Sequence, residues 1–399
     1  MALPTTISGT KFTVLVSSPI YSFGPFLSAG GNVYVVLLGS VDSKLHVYKA
    51  TDPTSSFTEQ DSSHIPAQAP ANWASVKVLQ NGDVLSIVGG AYSTTPAYKF
   101  HQFSMATDLW SATIKDKAIA SPTTVQGYDT GIDIVKRSDA SFVAFFNGAK
   151  EVLMGAGFER VFYSLSTDGG STWGTPVAVD GLAGTKVSAY GAIVVLGASD
   201  RAHFFYLSGA GEKHRSLSSS NVLDTEAAIA TPGASLVNNF GPGVAYVSGA
   251  NTVVKVPAAS TTSNKISNVY FNSGANPSIT VETDISTTTV LNNAGTRQAT
   301  CYALDGTTAH MLFSDATSFD LMHDLETDGG AWGTDVNEWA ATINAVSANI
   351  YTRSGSKVLA VIVDDGGTIK YNEITLSVAV AGVPRFPMYL QARPRAASF

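Results

Sequence analysis

Apolar and polar residues alternate along most of this chain, in short runs separated by glycine, serine, asparagine and aspartate. Such alternation is typical of β-strands, and two runs joined by a short turn are typical of a β-hairpin. Seven pairs of runs occur: GNVYVVLLGS with KLHVYKATD, GDVLSIVGG with AYKFHQFS, ASFVAFFNG with RVFYSLSTD, AIVVLGAS with RAHFFYLSG, NTVVKVPA with NVYFNSG, AHMLFSDA with FDLMHDLETD, and KVLAVIVDD with TIKYNEITL. No stretch of ten or more residues has a helical period, so the pattern predicts an all-β protein.

A shorter strand rich in small residues precedes most of these pairs, as in Pro25–Ala29, Gly131–Val135, Ala189–Val194, Gly243–Val247 and Ala345–Tyr351. Seven repeats in 399 residues give 399/7, or 57 residues each. Repeats of this length with several strands are typical of a β-propeller. We therefore predict a single propeller of four-stranded antiparallel blades. Seven blades are favoured, with six as the alternative, because the second and fifth repeats are the least regular.

The last repeat contains three clear strands, and the N-terminal segment Lys11–Ser18 is predicted to supply the fourth and close the ring. Closure removes the open sheet edges that promote aggregation. The predicted organisation is a propeller over residues 1–383 followed by a C-terminal tail over 384–399. The tail holds Arg385, Arg393 and Arg395, and we interpret it as a docking strap, with a disordered end as the alternative.

Composition and charge exclude several classes of function. Charged residues make up 14% of the chain, against about 25% in an average domain, and the net charge is −7. No run rich in lysine or arginine suits nucleic acid, and no run of eighteen apolar residues suits a membrane span. The start, MALPTTISGTKF, lacks the features of a signal peptide. Cys301 is the single cysteine, so we expect no disulfide and a thiol buried in a strand.

One turn carries a recognisable motif. Residues 166–173, STDGGSTW, match the Asp-box pattern Ser-x-Asp-x-Gly-x-Thr-Trp through Ser166, Asp168, Gly170, Thr172 and Trp173. The chain thereby resembles the sialidase-like Asp-box (BNR-repeat) propellers, and we place it with those of bacteriophage virions. Fainter copies occur after the third strand of other repeats: ATDPTSSF with Asp52 and Phe57, ETDGGAW with Asp328 and Trp332, and FSMATDLW with Trp110.

These residue types suit a structural turn. Gly170 permits the positive φ of a tight turn, and the Asp168 carboxylate can accept N–H bonds across it. Trp173 is expected to pack beneath the turn. Because strands in a blade alternate in direction, turns between third and fourth strands share a face with turns between first and second strands. The resemblance implies a ligand site on the opposite face, so we predict that Asp168 is structural.

The resemblance also implies a testable catalytic site. Sialidases hold the substrate carboxylate with three arginines, and they use a tyrosine nucleophile with a glutamate partner and an aspartate acid/base. The first arginine normally stands in a Phe/Tyr-Arg-Ile-Pro motif in the first blade, whereas this chain has no arginine before Arg137. The segment Arg385–Pro387 stands at the wrong end and lacks the isoleucine. We therefore predict no catalytic residues.

Eight residues are predicted to lie on the ligand face. Arg160 and Arg201 would each precede a third strand, and together with Arg297 they would grip an acidic group. The alternative is that these arginines are solvated loop charges. The other five candidates, of which the two phenylalanines are either sugar-stacking or core residues, are Glu159, Tyr128, Asp129, Phe23 and Phe240.

We predict no cofactor and no metal site. The seven histidines lack the spacing of metal ligands, and no nucleotide-binding glycine loop occurs. Asp364 and Asp365 in VDDGGT could hold a structural calcium ion, but a plain β-turn suits the same residues better.

Three functions remain open. We favour a non-catalytic structural or receptor- and glycan-binding propeller in an extracellular assembly, as a surface or tail component of a phage virion. Its partners would be other virion or surface proteins, contacted through residues 384–399, and a cell-surface glycan. Release by lysis would bring such a protein outside the cell without a signal peptide. The alternatives are an exo-sialidase-type glycoside hydrolase and a bacterial carbohydrate-binding adhesion module.

Overall fold

A computed structural model provides the structure of this chain. It describes residues 3–8, 24–39, 44–63, 75–91, 97–119, 132–147, 161–180, 188–208, 211–229, 236–240, 243–248, 251–260, 265–272, 280–282, 285–289, 300–328 and 330–376.

The described residues form thirty β-strands. Those of the N-terminal half are β1 (Thr5–Ser8), β2 (Phe26–Leu27), β3 (Val33–Leu38), β4 (Leu45–Ala50), β5 (Thr58–Gln60), β6 (Ser75–Asn81), β7 (Val84–Ala91), β8 (Ala97–Ser104), β9 (Leu109–Trp110), β10 (Lys117–Ile119), β11 (Ile132–Lys136), β12 (Phe142–Asn147), β13 (Val161–Ser166), β14 (Val177–Ala178) and β15 (Ser188–Leu196). Those of the C-terminal half are β16 (Ala202–Ser208), β17 (Gly211–Leu217), β18 (Ala227–Ala228), β19 (Leu236–Phe240), β20 (Val244–Ser248), β21 (Asn251–Ser260), β22 (Ile266–Asn272), β23 (Thr280–Glu282), β24 (Thr300–Asp305), β25 (Thr308–Ser314), β26 (Leu321–Thr327), β27 (Val336–Trp339), β28 (Ile343–Arg353), β29 (Ser356–Asp365) and β30 (Thr368–Thr375).

These strands form seven antiparallel sheets, numbered first to seventh along the chain. Their strand orders are β2-β3-β4-β5, β6-β7-β8-β10, β11-β12-β13-β14, β15-β16-β17-β18, β19-β21-β22-β23, β24-β25-β26-β27 and β28-β29-β30-β1. The short strands β9 and β20 pair with β8 and β21. The prediction of an all-β propeller with four-stranded antiparallel blades is confirmed. In the part of the chain that the structure describes, no helix is long and apolar enough to cross a bilayer.

Neighbouring sheets pack face to face, so the second and third strands are buried on both sides. The run Phe142–Phe146 in β12 shows this, because each of its side chains is at most 1% exposed. Phe145 contacts Phe204 of the fourth sheet with a centroid distance of 4.7 Å, and Phe146 contacts Tyr98 of the second at 4.6 Å. Burial on both faces explains why these strands are nearly continuous apolar runs.

The fourth sheet differs from the sequence-based pairing. The runs AIVVLGAS and RAHFFYLSG lie in its first and second strands, β15 and β16, and its third strand is β17. The prediction that the strand after Arg201 is a third strand is therefore wrong. The hydrophobic pattern missed β17, GEKHRSL, because its fully buried side chains include the polar residues His214 and Ser216.

The N-terminus completes the seventh sheet, although with a different segment from the predicted one. Strand β1 pairs with β30, through Thr5 opposite Tyr371 and Thr6 opposite Lys370. Ile7 joins a buried cluster that includes residues of the first and seventh sheets, and Thr5 Oγ1 donates to the Pro53 carbonyl at 2.6 Å. The fourth strand is thus Thr5–Ser8, and residues 11–18 lie outside the described residues.

Candidate functional site

Six of the eight predicted ligand-face residues lie outside the described part of the chain: Phe23, Tyr128, Asp129, Glu159, Arg160 and Arg297. Phe240 is the last residue of β19, the inner strand of the fifth sheet. Of the eight predicted ligand-face residues, Arg201 is therefore the one whose side chain the structure describes.

Arg201 does not lie on the predicted ligand face. It stands between the first and second strands of the fourth sheet, which is the face that carries the Asp-box turn. Its Nη1 donates to Ser216 Oγ at 2.8 Å and lies 3.7 Å from an Asp224 carboxylate oxygen. The prediction was wrong because β15 (Ser188–Leu196) was counted as two strands, Ala189–Val194 and AIVVLGAS, and one extra strand moves the following loop to the other face.

The other described arginines are also held inside the fold. Arg137 is 4% exposed and links the third sheet to the fourth by donating to the Asn221 side chain at 2.6 Å. Arg215 donates to the Val179 carbonyl of the third sheet at 2.6 Å. Arg353 forms a two-pronged ion pair with Glu373 within the seventh sheet. All four guanidinium groups among the described residues therefore serve the fold.

Two tyrosine–glutamate pairs occur among the described residues. Tyr206 donates to Glu226 at 2.6 Å, and Tyr371 donates to Glu373 at 2.5 Å. Both tyrosine side chains are fully buried. Burial, reinforced by the glutamate in each pair, raises the pKa of Tyr206 and Tyr371 well above the ordinary value. These phenols are protonated and inaccessible, so neither pair has the chemistry of an activated nucleophile.

The Asp-box turn is held by a closed set of hydrogen bonds. Asp168 accepts from the Thr172 N–H at 2.9 Å, from the Thr172 hydroxyl at 2.6 Å and from the Ser166 hydroxyl at 2.9 Å. The Ser166 hydroxyl in turn accepts from the Gly170 N–H at 2.8 Å. The bonds from Thr172 lower the pKa of Asp168 to about 2. Every polar group of this motif named here is used within the turn itself.

The same turn also joins two sheets. Trp173 packs edge-on against Phe100 of the second sheet, with ring centroids 5.4 Å apart. Gly170 has a φ of 95°, and a Cβ at this position would lie 2.0 Å from the Phe100 ring. Gln102 of the second sheet donates to the Gly169 carbonyl at 3.3 Å. The Asp-box therefore anchors the third sheet to the second.

The fainter copies occupy equivalent turns between third and fourth strands but use their aspartates differently. Asp52 accepts from the N–H and hydroxyl of Thr54, both at 2.9 Å, within its own turn. Asp328 instead accepts from Ser248 of the fifth sheet at 2.5 Å. In FSMATDLW, Asp108 accepts from Tyr34 and Lys49 of the first sheet, each at 2.6 Å. Sequence reasoning assigned no role to Asp108, because its partners are distant in the chain.

A second polar cluster lies buried between the fifth and sixth sheets. It consists of Lys255, Glu282, Asp324, Glu326 and Trp332, and is called the charged seam below. Lys255 forms an ion pair with Glu326, and both side chains are 0% exposed. The ammonium group also lies 5.2 Å from the centroid of the Trp332 ring, whose N–H donates to Glu282 at 3.5 Å.

Burial changes the acidity of the charged seam. It lowers the pKa of Lys255 to about 8 and raises that of Asp324 to about 6. A buried ion pair of this kind fixes the relative position of two elements more than it adds stability. Since Lys255 and Glu326 are sealed from solvent, they suit a structural contact between sheets rather than a substrate site.

The two aspartates predicted as possible calcium ligands bind groups of their own hairpin. Asp364 accepts from the Gly367 N–H at 2.6 Å, and Asp365 pairs with Lys370 at 2.5 Å. Within the described ranges, no group of three or more His, Cys, Asp or Glu residues is arranged to hold a metal ion. The prediction of a buried Cys301 is confirmed, and burial raises the pKa of its thiol to about 12.

Comparisons with known proteins find distant structural likenesses only. No protein-family model matches the chain, and no curated protein does. Similar solved structures include Aleuria aurantia lectin in complex with Fucα1-6GlcNAc, at 11% identity over 81% of this chain and 96% of that chain, with a TM-score of 0.46. Penicillium chrysogenum α-L-arabinanase complexed with arabinobiose matches at 10% identity over 92% and 99%, with a TM-score of 0.45.

Trypanosoma rangeli sialidase in complex with the inhibitor DANA matches at 8% identity, over 93% of this chain and 59% of that chain, with a TM-score of 0.48. The chain thus spans less than two thirds of that sialidase. At these identities and TM-scores the likenesses carry no argument about what this chain is or what it binds.

Proposed function

We propose that this chain is a non-catalytic structural or receptor- and glycan-binding propeller, and that it serves as a surface or tail component of a phage virion. The observation that carries the proposal is the engagement of the arginines. All four arginines among the described residues donate hydrogen bonds to other residues of the propeller. These bonds hold strands of one sheet, or two neighbouring sheets, together. None of these four side chains can grip a substrate carboxylate without giving up such a contact.

The arginine inventory restricts the hydrolase alternative further. The five arginines outside the described residues are Arg160, Arg297, Arg385, Arg393 and Arg395. A three-arginine grip would therefore need at least one residue of the segment 384–399, which we propose to be a docking tail. The buried tyrosine–glutamate pairs do not replace the missing nucleophile, because both lie within the packing of the sheets.

Two features support the virion role. One is the resemblance to virion propellers that STDGGSTW carries, and the other is the way in which polar contacts join neighbouring sheets. Polar side chains tie sheets together at several junctions, which gives a rigid scaffold with few charged residues. We propose that residues 1–383 form this scaffold, that residues 384–399 dock on other virion or surface proteins, and that loops opposite the Asp-box face meet a cell-surface glycan. We propose an exterior location, and no cofactor.

Particle analysis tests the virion role. Mass spectrometry of purified phage particles, together with antibody labelling in electron micrographs, is expected to find the chain in the particle. A chain lacking residues 384–399 is expected to fold but to be absent from particles. Detection only in the soluble fraction of the host would contradict the virion role, whereas detection on the bacterial surface would favour the adhesion module.

A fluorogenic sialoside tests the hydrolase alternative on the full chain. We expect no turnover. If turnover occurs, Arg160→Ala and Arg297→Ala should abolish it, whereas Lys357→Ala, which removes a half-exposed cation paired with Asp305, is the control. Turnover that depends on Arg160 and Arg297 would overturn the non-catalytic reading.

A further inference from the structure

One phenylalanine is exposed on the face opposite the Asp-box turn. Phe319 belongs to residues 315–320, which connect β25 with β26, the second and third strands of the sixth sheet. Its exposed fraction is 37%, and it is the one aromatic residue among the exposed large apolar side chains that the structure describes. Since connections between second and third strands lie on the predicted ligand face, an aromatic surface is accessible there.

The backbone of Phe319 has an unfavourable conformation. Its φ is 62°, in the left-handed region, which a bulky side chain rarely adopts. Nine other non-glycine residues of the described ranges have a positive φ, and all are small or polar: five aspartates, two serines, one asparagine and one alanine. Glycine or asparagine would occupy the position with less strain. The turn itself therefore does not explain a phenylalanine at this place.

Backbone hydrogen bonds hold Phe319 in this conformation. Its N–H donates to the Asp315 carbonyl at 3.1 Å, and its carbonyl accepts from the Ile343 N–H of the seventh sheet at 2.8 Å. The Asp315 N–H donates to the Asp320 carbonyl at 3.0 Å, which closes the loop. Because these bonds involve backbone groups alone, they would hold any residue here, and the aromatic ring is not required to make them.

Carboxylates lie on both sides of Phe319 in the loop. Asp315 accepts from the Ser318 hydroxyl at 3.3 Å, and Asp320 accepts from the Asn337 amide at 2.6 Å. These donors are uncharged, so the hydrogen bonds leave the negative charges in place. Both aspartates are partly exposed, and an ionised carboxylate can accept several hydrogen bonds at once. The loop thus combines an apolar ring with fixed hydrogen-bond acceptors.

The seventh sheet places a cation at the same end of the sixth. Trp339, which pairs with Leu321 at this end, has its ring centroid 6.0 Å from the Lys370 ammonium group. Lys370 forms an ion pair with Asp365 at 2.5 Å, and Asp365 also accepts from the Thr342 N–H at 3.0 Å. The charge of Lys370 is therefore balanced within the protein, and the carboxylates of the loop determine which ligands suit it.

This combination suits a neutral sugar ring. The C–H face of a pyranose can pack on an aromatic ring, and sugar hydroxyls can donate charge-assisted hydrogen bonds to carboxylates. An acidic sugar such as sialic acid would bring another negative charge beside Asp315 and Asp320, and like charges in contact repel. The loop therefore favours a neutral pyranose over an acidic one.

We propose that Phe319 is the stacking platform of a binding site for a neutral pyranose, in which Asp315 and Ser318 bind the sugar hydroxyls. The inference rests on the proposed function, because it names the class of glycan and the loop that a glycan-binding propeller would use. Backbone strain that the turn does not require is often found at binding sites, where it is retained for function.

Substitutions at Phe319 in the full chain test the site. The probe is an array of immobilised glycans that end in galactose, glucose, mannose, fucose or N-acetylglucosamine, together with sialylated counterparts. The wild type should bind neutral glycans, Phe319→Asn should lower the apparent affinity at least about tenfold, and Phe319→Tyr should keep it within about threefold. Leu109→Ser is the matched control, since Leu109 is 52% exposed on the Asp-box face, and it should bind like the wild type.

The thermal midpoint of Phe319→Asn separates a binding role from a structural one. Asparagine tolerates a positive φ, so the variant should unfold at the same temperature as the wild type or at a higher one. A lower midpoint together with weaker binding would show that the ring serves the packing of the sixth sheet, and would overturn the proposed site.

The array distinguishes failure of this site from failure of the proposed function. Wild-type binding that Phe319→Asn does not change would overturn the site and leave glycan binding by the propeller standing. Binding to sialylated glycans alone would overturn the assignment to a neutral pyranose. If the wild type binds no glycan on the array, both the site and the glycan-binding function are contradicted.

Discussion

Gly169 and Gly170 are adjacent in the Asp-box turn, and both have positive φ angles, of 72° and 95°. Their surroundings differ, because a Cβ on Gly170 would lie 2.0 Å from the Phe100 ring whereas a Cβ on Gly169 would meet no atom within 4 Å. Substituting alanine at each of these two glycines therefore separates two contributions to the free energy of unfolding: backbone strain, and crowding between the second and third sheets.

We predict that Gly169→Ala lowers the free energy of unfolding by about 1–2 kcal/mol through backbone strain alone. Gly170→Ala should add a further ~1–3 kcal/mol, because Phe100 must move out of a packed interface. Chemical denaturation followed by tryptophan fluorescence measures both. Equal losses would show that the turn does not depend on close contact with the second sheet.

The sequence was most informative where a residue's role is local. The bonds of Asp168 to Ser166 and Thr172 span two and four positions, so the motif itself predicts them. The role of Arg201 was mispredicted, because its face depends on how many strands precede it in the sheet. The bonds of Asp108 reach residues 59 and 74 positions away, and no local pattern indicates such partners.

At the scale of elements, the second and third strands of most sheets were predictable because both of their faces are buried. The polar strand β17 was not, and neither were β9, β10 and β19, although the predicted short strand Gly243–Val247 corresponds to β20. The charged seam between the fifth and sixth sheets also escaped prediction. Lys255 stands in an apolar strand, and only the approach of β26 supplies Glu326 as its partner.

Removing one charge of the Lys255–Glu326 ion pair should lower the free energy of unfolding more than removing both charges. Glu326→Gln and Lys255→Met are each expected to lower the free energy of unfolding by about 3–5 kcal/mol, since each leaves a buried charge without its counter-ion. The double variant should lose less than the sum of the two. A double-mutant cycle by chemical denaturation measures the coupling, and additive losses would mean that the pair makes no specific contact between these sheets.

At the scale of the whole molecule, strand β1 joins the N-terminus to the seventh sheet by pairing with β30. Deleting residues 1–8 removes a strand from the edge of β30 and the buried side chain of Ile7, so the thermal midpoint should fall and the seventh sheet should exchange hydrogen faster. Deleting residues 384–399 is the matched control and should leave the midpoint unchanged. An unchanged midpoint after the first deletion would show that the seventh sheet does not need its fourth strand.

The sequence predicted the strands of the sheets in more detail than it predicted the residues of the ligand face. A propeller site is assembled from loops of several sheets, so a residue's place in it depends on every strand counted before it. Arg201 illustrates the effect of counting one strand, β15, as two in such an assignment. In the structure this guanidinium lies on the Asp-box face and donates a hydrogen bond to Ser216. This position argues against a three-arginine site on the opposite face.

The most direct test of the proposed function is a glycan array, run on the purified full chain, that records both retained protein and released sugar. The account predicts saturable binding to a defined glycan class with no released sialic acid, and no loss of binding in the Arg201→Gln variant if that variant keeps its fold. Release of sialic acid from the array would contradict the account, because it would require a catalytic site that the engaged arginines and buried tyrosines of the described residues do not provide.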